Sequence, residues 1–126
     1  VSAATRFAAG QASFTCSGQL APHQRMQIFG TRARIDVEIP FNAPPDAASR
    51  IYVDGGGDLT GRGRETIELP VADQYTLQGD RFSEAIRGLA TVPMSLEDSI
   101  GNMAVIDALF KSAETRRWET PVSLSP

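Results

Sequence analysis

The sequence predicts an α+β fold: a mainly antiparallel, open-faced sheet of about six strands, with two C-terminal helices on one face. Three observations predict it. Apolar and polar side chains alternate with period 2 from the start of the chain to Leu69. The breaks in that pattern include short, turn-prone connections, which join antiparallel neighbours. Beyond Asp73 the apolar spacing changes to threes and fours, the signature of helices packed through one side. Strands followed by helices is the α+β order.

The elements follow in turn. Val1 to Ala8 reads as a strand, and Ala12, Phe14 and Cys16 interleave with Ser13, Thr15 and Ser17 in the next. Met26 and Ile28 alternate with Arg25 and Gln27. Ala33, Ile35, Val37 and Ile39 alternate with Arg34, Asp36 and Glu38. Pro40 and the Asn42-Ala43-Pro44-Pro45-Asp46 stretch end that strand in a loop. Ile51 with Val53, then Ile67 with Leu69, supply the last two strands. Asp73 is placed to cap a helix whose stripe is Tyr75, Gly79, Phe82, Ile86 and Leu89, with Gly88 as its left-handed terminator. Ser95-Leu96-Glu97-Asp98 opens a second helix with acids at its positive end. Its expected inward line is Leu96, Ile100, Met103, Phe110 and Ala113, widened by Ala104, Ile106 and Leu109. Phe82 and Phe110 are expected to be buried against Phe14, Ile28 and Ile35. Trp118 to Leu124 reads as a short returning strand.

Composition narrows the function classes. The 126 residues hold 12 Lys+Arg and 15 Asp+Glu, a net charge of −3, which argues against a nucleic-acid or anionic-membrane partner. Hydrophobic residues make 41% of the chain, a globular fraction, and no apolar run approaches the ~20 residues that span a bilayer. One cysteine, Cys16, excludes an internal disulfide and fits a reducing compartment. It alternates with Phe14 and reads as core packing. Val1 stands where an initiator methionine would, which predicts a piece of a longer protein.

The glycine-rich loop from Asp54 to Gly63 does not carry the chemistry its composition suggests. A dinucleotide fingerprint needs G-x-G-x-x-G between strand and helix, and the third glycine would fall on Thr60 or Thr66. Gly56 and Gly61 have P-loop spacing, but Arg62 stands in place of the lysine and a strand follows. The loop reads as a hairpin connection, and Asp54 with Asp58 are too few carboxylates for calcium. His23, the sole histidine, has no second imidazole for zinc and no nucleophile assignable to it; it reads as a loop histidine. Arg32 and Arg34 with Asp36 and Glu38 read as cross-strand ion pairs. No complete active site is visible in these residues.

Several segments taken together resemble the C-terminal domain of the Gfo/Idh/MocA oxidoreductases. They are Gly10 to Ser17, Gln24 to Thr31, Arg34 to Asn42, Asp73-Gln74-Tyr75, Leu96-Glu97-Asp98 and Asn102 to Ala113. The branch most resembled contains glucose–fructose oxidoreductase and the sugar and dihydrodiol dehydrogenases. The resemblance implies that residues 1–126 are one C-terminal, substrate-side and oligomerisation domain. Its parent would carry an N-terminal Rossmann domain, absent from this chain, that binds NAD or NADP. The parent would be an NAD(P)-dependent oxidoreductase acting on a sugar, polyol or diol. The family's catalytic lysine, aspartate and histidine or tyrosine find no match here, so no catalytic or cofactor-binding residue is assigned. The fragment is expected to be inactive alone.

The same resemblance makes Gln19, His23, Gln24, Arg25, Asp73, Gln74 and Tyr75 the candidates to face the substrate. It also implies a homo-oligomer through the helix-free sheet face, presenting Ser13, Thr15, Ser17, Arg25, Gln27, Arg34, Asp36 and Glu38. The expected location is cytoplasmic, with the periplasm left open. The alternative reading is a non-enzymatic module for sheet-mediated dimerisation or small-ligand binding.

Overall fold

A computed structural model describes residues 1–122. It has the α+β order: β1 (Ser2–Phe7), β2 (Gly10–Thr15), β3 (Met26–Phe29), β4 (Arg34–Val37), β5 (Ser49–Asp54) and β6 (Glu65–Leu69), then α1 (Gln74–Ile86) and α2 (Leu96–Thr115). Six strands and two C-terminal helices are what the sequence predicts. The strands form two antiparallel sheets, β1-β2 and β3-β4-β5-β6. The chain divides into two compact units: Val1–Gln19 with Ala90–Pro126, and Leu20–Leu89.

In the first unit β1 and β2 form a hairpin in which Ser2 faces Thr15 and Phe7 faces Gly10. The hydroxyls of Ser2 and Thr15 share a hydrogen bond of 2.9 Å across it. Ser95 caps α2, its Oγ accepting from the Asp98 amide at 3.2 Å. The helix ends at Arg116, which adopts the left-handed conformation at φ 55°. The side of α2 that gains cover is Ala104, Ala108, Leu109 and Ser112, one stripe at spacings of three and four. Leu96, Ile100, Met103 and Phe110 of the expected inward line are exposed; the covered side carries Leu109 among small residues instead. Cys16 is exposed too, against the expectation of core packing. From Trp118 to Val122 the chain forms no strand; the rest of the expected final strand, Ser123 and Leu124, lies outside the described residues.

The second unit is built on the four-stranded sheet. Its register sets Gln27 opposite Asp36 and Phe29 opposite Arg34; Arg34 in turn faces Asp54, and Asp36 faces Tyr52. Tyr52 faces Thr66 across the last pair. Because a strand alternates its side chains, all of these share one face. Met26, Ile28, Ile35, Val37, Ile51, Val53 and Ile67 take the other. β4 stops at Val37, shorter than its alternation, just ahead of Pro40, which lacks a ladder donor.

Asp73 caps α1 through both oxygens, accepting from the Tyr75 amide at 2.9 Å and the Thr76 hydroxyl at 2.8 Å. Gly88, at φ 70°, ends the turn that follows, and the Leu89 amide donates to the Glu84 carbonyl at 2.9 Å. That closing bond across a left-handed glycine is the Schellman arrangement.

Phe82 is 63% exposed and Phe110 70%, which corrects the expectation that they anchor a core. Among the described residues no hydrophobic side chain is fully buried. Burial scales the cost of truncation, so Phe82→Ala and Phe110→Ala should each cost less than about 1 kcal/mol in urea unfolding, not the ~3–5 kcal/mol of a packed phenylalanine. A loss above about 2 kcal/mol would show that these rings are covered.

Candidate functional site

The sequence places one carboxylate where the sheet needs it most. Asp54, the last residue of β5, is the one buried polar residue among those described, at 3% exposure. Its Oδ2 accepts from Arg34 Nη2 at 2.6 Å and from Arg34 Nε at 3.2 Å. Its Oδ1 accepts from the Gly56 amide at 2.8 Å. The Gly56 amide first, and the Arg34 guanidinium beside it, hold the Asp54 carboxyl below the usual carboxylate range. The clasp ties β4, β5 and the glycine-rich loop together.

That loop is ordered by a second carboxylate. Asp58 Oδ1 accepts from the Thr60 amide and the Thr60 hydroxyl, each at 2.7 Å, and from the Arg62 amide at 3.4 Å. The Thr60 hydroxyl and then these amides lower the Asp58 carboxyl as well. Gly61 runs at φ 73°, and a Cβ there would lie 3.4 Å from both Arg34 Nη2 and Asp54 Oδ2. A side chain at Gly61 would crowd the clasp; glycine lets the backbone come in close.

Around the clasp lies a cavity of about 410 Å³ on the polar sheet face, bordered by Gln27, Phe29, Arg34, Asp36, Tyr52, Asp54, Thr60 and Arg64. The Arg64 guanidinium stacks 4.2 Å from the centre of the Tyr52 ring. Asp36 meets Arg25 at 3.3 Å and accepts from Gln27 Nε2 at 3.4 Å. The Arg25 contact is an ion pair without hydrogen-bond alignment, so Asp36 Oδ1 has no hydrogen-bond partner. Past the cavity the ion pairs continue as Arg50 with Glu38 at 3.8 Å and Arg50 with Glu68 at 3.4 Å. The sequence predicts pairing of Arg32 and Arg34 with Asp36 and Glu38; instead Arg34, Asp36 and Glu38 each pair elsewhere, with Asp54, Arg25 and Arg50, and Arg32 is in none of the ion pairs among the described residues.

The loop does not fit the phosphates of a dinucleotide. It joins two strands, and the amides of Gly56, Thr60 and Arg62 already donate to the Asp54 and Asp58 carboxylates, which would also repel a phosphate. No nucleotide contact is assigned to this chain. Among the described residues no group of three or more His, Cys, Asp or Glu side chains is placed to hold a metal.

The residues expected to face a substrate each have a local place in the structure. Gln19 lies in the first unit, with its amide on Ser17 Oγ at 3.1 Å. Gln24 Oε1 accepts from the amides of Phe41 and Asn42 at 3.2 and 3.1 Å, which gives it a bracing role. Asp73 is a helix cap, Gln74 begins α1, and Tyr75 and His23 are exposed. Arg25 reaches the cavity only through Asp36. The residues expected at a subunit interface likewise have local places. Ser13 and Thr15 stand on the two-stranded sheet, and Gln27, Arg34 and Asp36 on the four-stranded one; Ser17, Arg25 and Glu38 flank strands.

The first unit has its own cavity, about 360 Å³, bordered by β1, by Val105, Ala108, Leu109 and Ser112 of α2, and by Trp118 to Pro121. Arg6 sits 4.6 Å from the Trp118 ring centre, and Lys111 pairs with Glu119 at 3.2 Å. Its lining is mostly apolar, with fewer convergent polar groups than the clasp cavity.

Comparison with known proteins adds to this picture. Residues 3–124 match the oxidoreductase family, C-terminal alpha/beta domain. The chain is 46% identical over 110 residues to an uncharacterized oxidoreductase, ORF334, of Rhizobium meliloti, covering 87% of this chain and 33% of that protein. It is 30% identical over 93 residues to D-xylose 1-dehydrogenase (NADP(+)) 2 of Haloferax volcanii, covering 73% of this chain and 27% of that protein. The chain thus spans about a third of the length of these relatives or less. No solved structure matches it significantly.

Proposed function

Because the chain belongs to the Gfo/Idh/MocA oxidoreductase family, as its C-terminal alpha/beta domain, we propose that it serves as the substrate-side domain of an NAD(P)-dependent enzyme oxidising a sugar, polyol or related diol. The observation that carries this reading is the family match over residues 3–124, joined to a relative whose name specifies D-xylose and NADP(+). The division of labour follows from the residues. This chain offers hydrogen-bonding side chains but no dinucleotide loop, so nucleotide binding and hydride transfer fall to the remainder of the parent. No helix among the described residues is long and apolar enough to cross a membrane.

Self-association belongs to the same proposal. The charged end of the polar sheet face, Arg25, Glu38, Arg50 and Glu68, carries two charges of each sign. Such a surface can meet its own copy about a two-fold axis, arginine to acid.

The test is an assay of the intact protein with NAD⁺ and NADP⁺ against D-xylose, other aldoses, sugar alcohols and vicinal diols. Reduced nicotinamide should form with at least one of them, and the 126-residue chain by itself should form none. Nucleotide binding without turnover of any compound in that panel would sink the substrate class. The same preparation should sediment as a dimer or larger; a monomer at high micromolar concentration would remove the subunit contact.

A further inference from the structure

One edge of the β1-β2 hairpin has an unpaired backbone. Val1 and Cys16 bond each other both ways, N to O, at 2.8 and 2.9 Å. Bonded and unbonded pairs alternate along an antiparallel ladder, so Ala3 and Thr5 bond to β2 in turn. The N–H and C=O groups of Ser2, Ala4 and Arg6 therefore point away from it. The short contact between the Ser2 and Thr15 hydroxyls marks such an unbonded pair, in which side chains come closest. Among the described residues the outward groups have no backbone partner. Nor is the edge blunted in the usual ways: β1 is six residues long, has no proline, and keeps its register without a bulge.

The 360 Å³ cavity of the first unit lies along this edge, bordered by Ala4 to Phe7 and by no residue of β2. Val105, Ala108 and Leu109 of α2 give it an apolar wall. Residues 118–121 border it too, but they form no strand, and Pro121 has no N–H to give a ladder.

We infer that β1 takes up an extended peptide segment of another protein as an added strand, with an apolar side chain in the cavity and an acidic one at Arg6. Main-chain bonds to Ser2, Ala4 and Arg6 hold the segment, and side chains at alternate positions select it. Charge sets the partner's chemistry. Lys111 is paired with Glu119 at 3.2 Å, whereas Arg6 is in none of the ion pairs among the described residues. Its guanidinium rests 4.6 Å from the centre of the Trp118 ring, which fixes a positive group at the rim. A second copy of this chain does not match: β1 laid antiparallel on itself about Ala4 sets Arg6 against Ser2 and offers it no acid. The inference does not rest on the proposed oxidation.

The experiment is residue-resolved hydrogen–deuterium exchange on the intact protein, with a capped peptide of alternating valine and glutamate added. The peptide should slow the Ala4 and Arg6 amides saturably. The same peptide N-methylated at every residue keeps its side chains but not its donors, and should protect neither. Lysine in place of glutamate should raise the half-saturating concentration about tenfold, and Arg6→Glu should invert that preference. No protection by the valine–glutamate peptide would overturn the inference, as would protection that survives N-methylation. An unchanged preference in Arg6→Glu, with native circular dichroism, would overturn it too. Amides of Ala4 and Arg6 that are already slow without peptide would show the edge closed within the protein. Protection that grows with protein concentration alone would show it joining two copies, and either result removes the foreign strand.

Discussion

Asp54→Ala should lower the melting temperature of the intact protein by about 5–10 °C. The substitution strands two donors at once, the Gly56 amide and the Arg34 guanidinium, in the most enclosed spot among the described residues. Removing one partner of a covered ion pair costs more than the pair contributes, because the other partner keeps its desolvation penalty. Arg34 is 43% exposed and recovers some hydration, which keeps the expected fall at the lower end of such effects. The effect carries a pH signature. The Asp54 carboxyl is held below its ordinary range in the fold, so its contribution is present above the unfolded value, about pH 4. It is lost as pH falls through the folded value. The gap between wild type and Asp54→Ala should therefore be widest near neutrality and close as the solution is acidified below about pH 4. A gap of under 2 °C at pH 7, or one that widens in acid, would dismiss the clasp as a stabilising element.

Gly61→Val should cost about 2 kcal/mol or more in urea unfolding. A residue with a Cβ at φ 73° crowds its own carbonyl by about 1–2 kcal/mol, and β-branching adds to this. The new methyls would also press on Arg34 and Asp54, each 3.4 Å from the Cβ position. Gly57 provides the control within the same loop. Its φ is not positive and its Cβ would meet nothing within 4 Å, so Gly57→Val should stay within about 0.5 kcal/mol. Equal costs at the two glycines would remove the special role given to Gly61.

The contrast between these two glycines marks how far the sequence could be read. Strand positions were legible because Arg34, Ile35, Asp36 and Val37 alternate without a break, and helix starts because Asp73 and Ser95 are capping residues in the right place. The division into two sheets was not. Consecutive strands usually pair, yet β2 and β3 are joined by residues 16–25, with Pro22 inside, and do not. Nor was the covered side of α2. Apolar residues surround most of that helix, so the small stripe of Ala104, Ala108 and Ser112 competes poorly on paper with Leu96 and Phe110. The clasp is not legible in the sequence, for a geometric reason. Arg34 and Asp54 stand 20 positions apart across a proline-containing loop, and neither residue type is unusual. Parity puts them on one face only once the β4–β5 register is known.

That register has a consequence for how the chain can change length. One residue gained or lost inside β4 would swap Arg34 and Asp36 for Ile35 and Val37 on the polar face, dismantling the clasp and the cavity together. Two residues would restore the facing and merely slide the strand by about 7 Å against its neighbours. Within β4 and β5 insertions are thus filtered by being odd or even. The connections at residues 30–33 and 38–48 escape that filter and can lengthen one residue at a time.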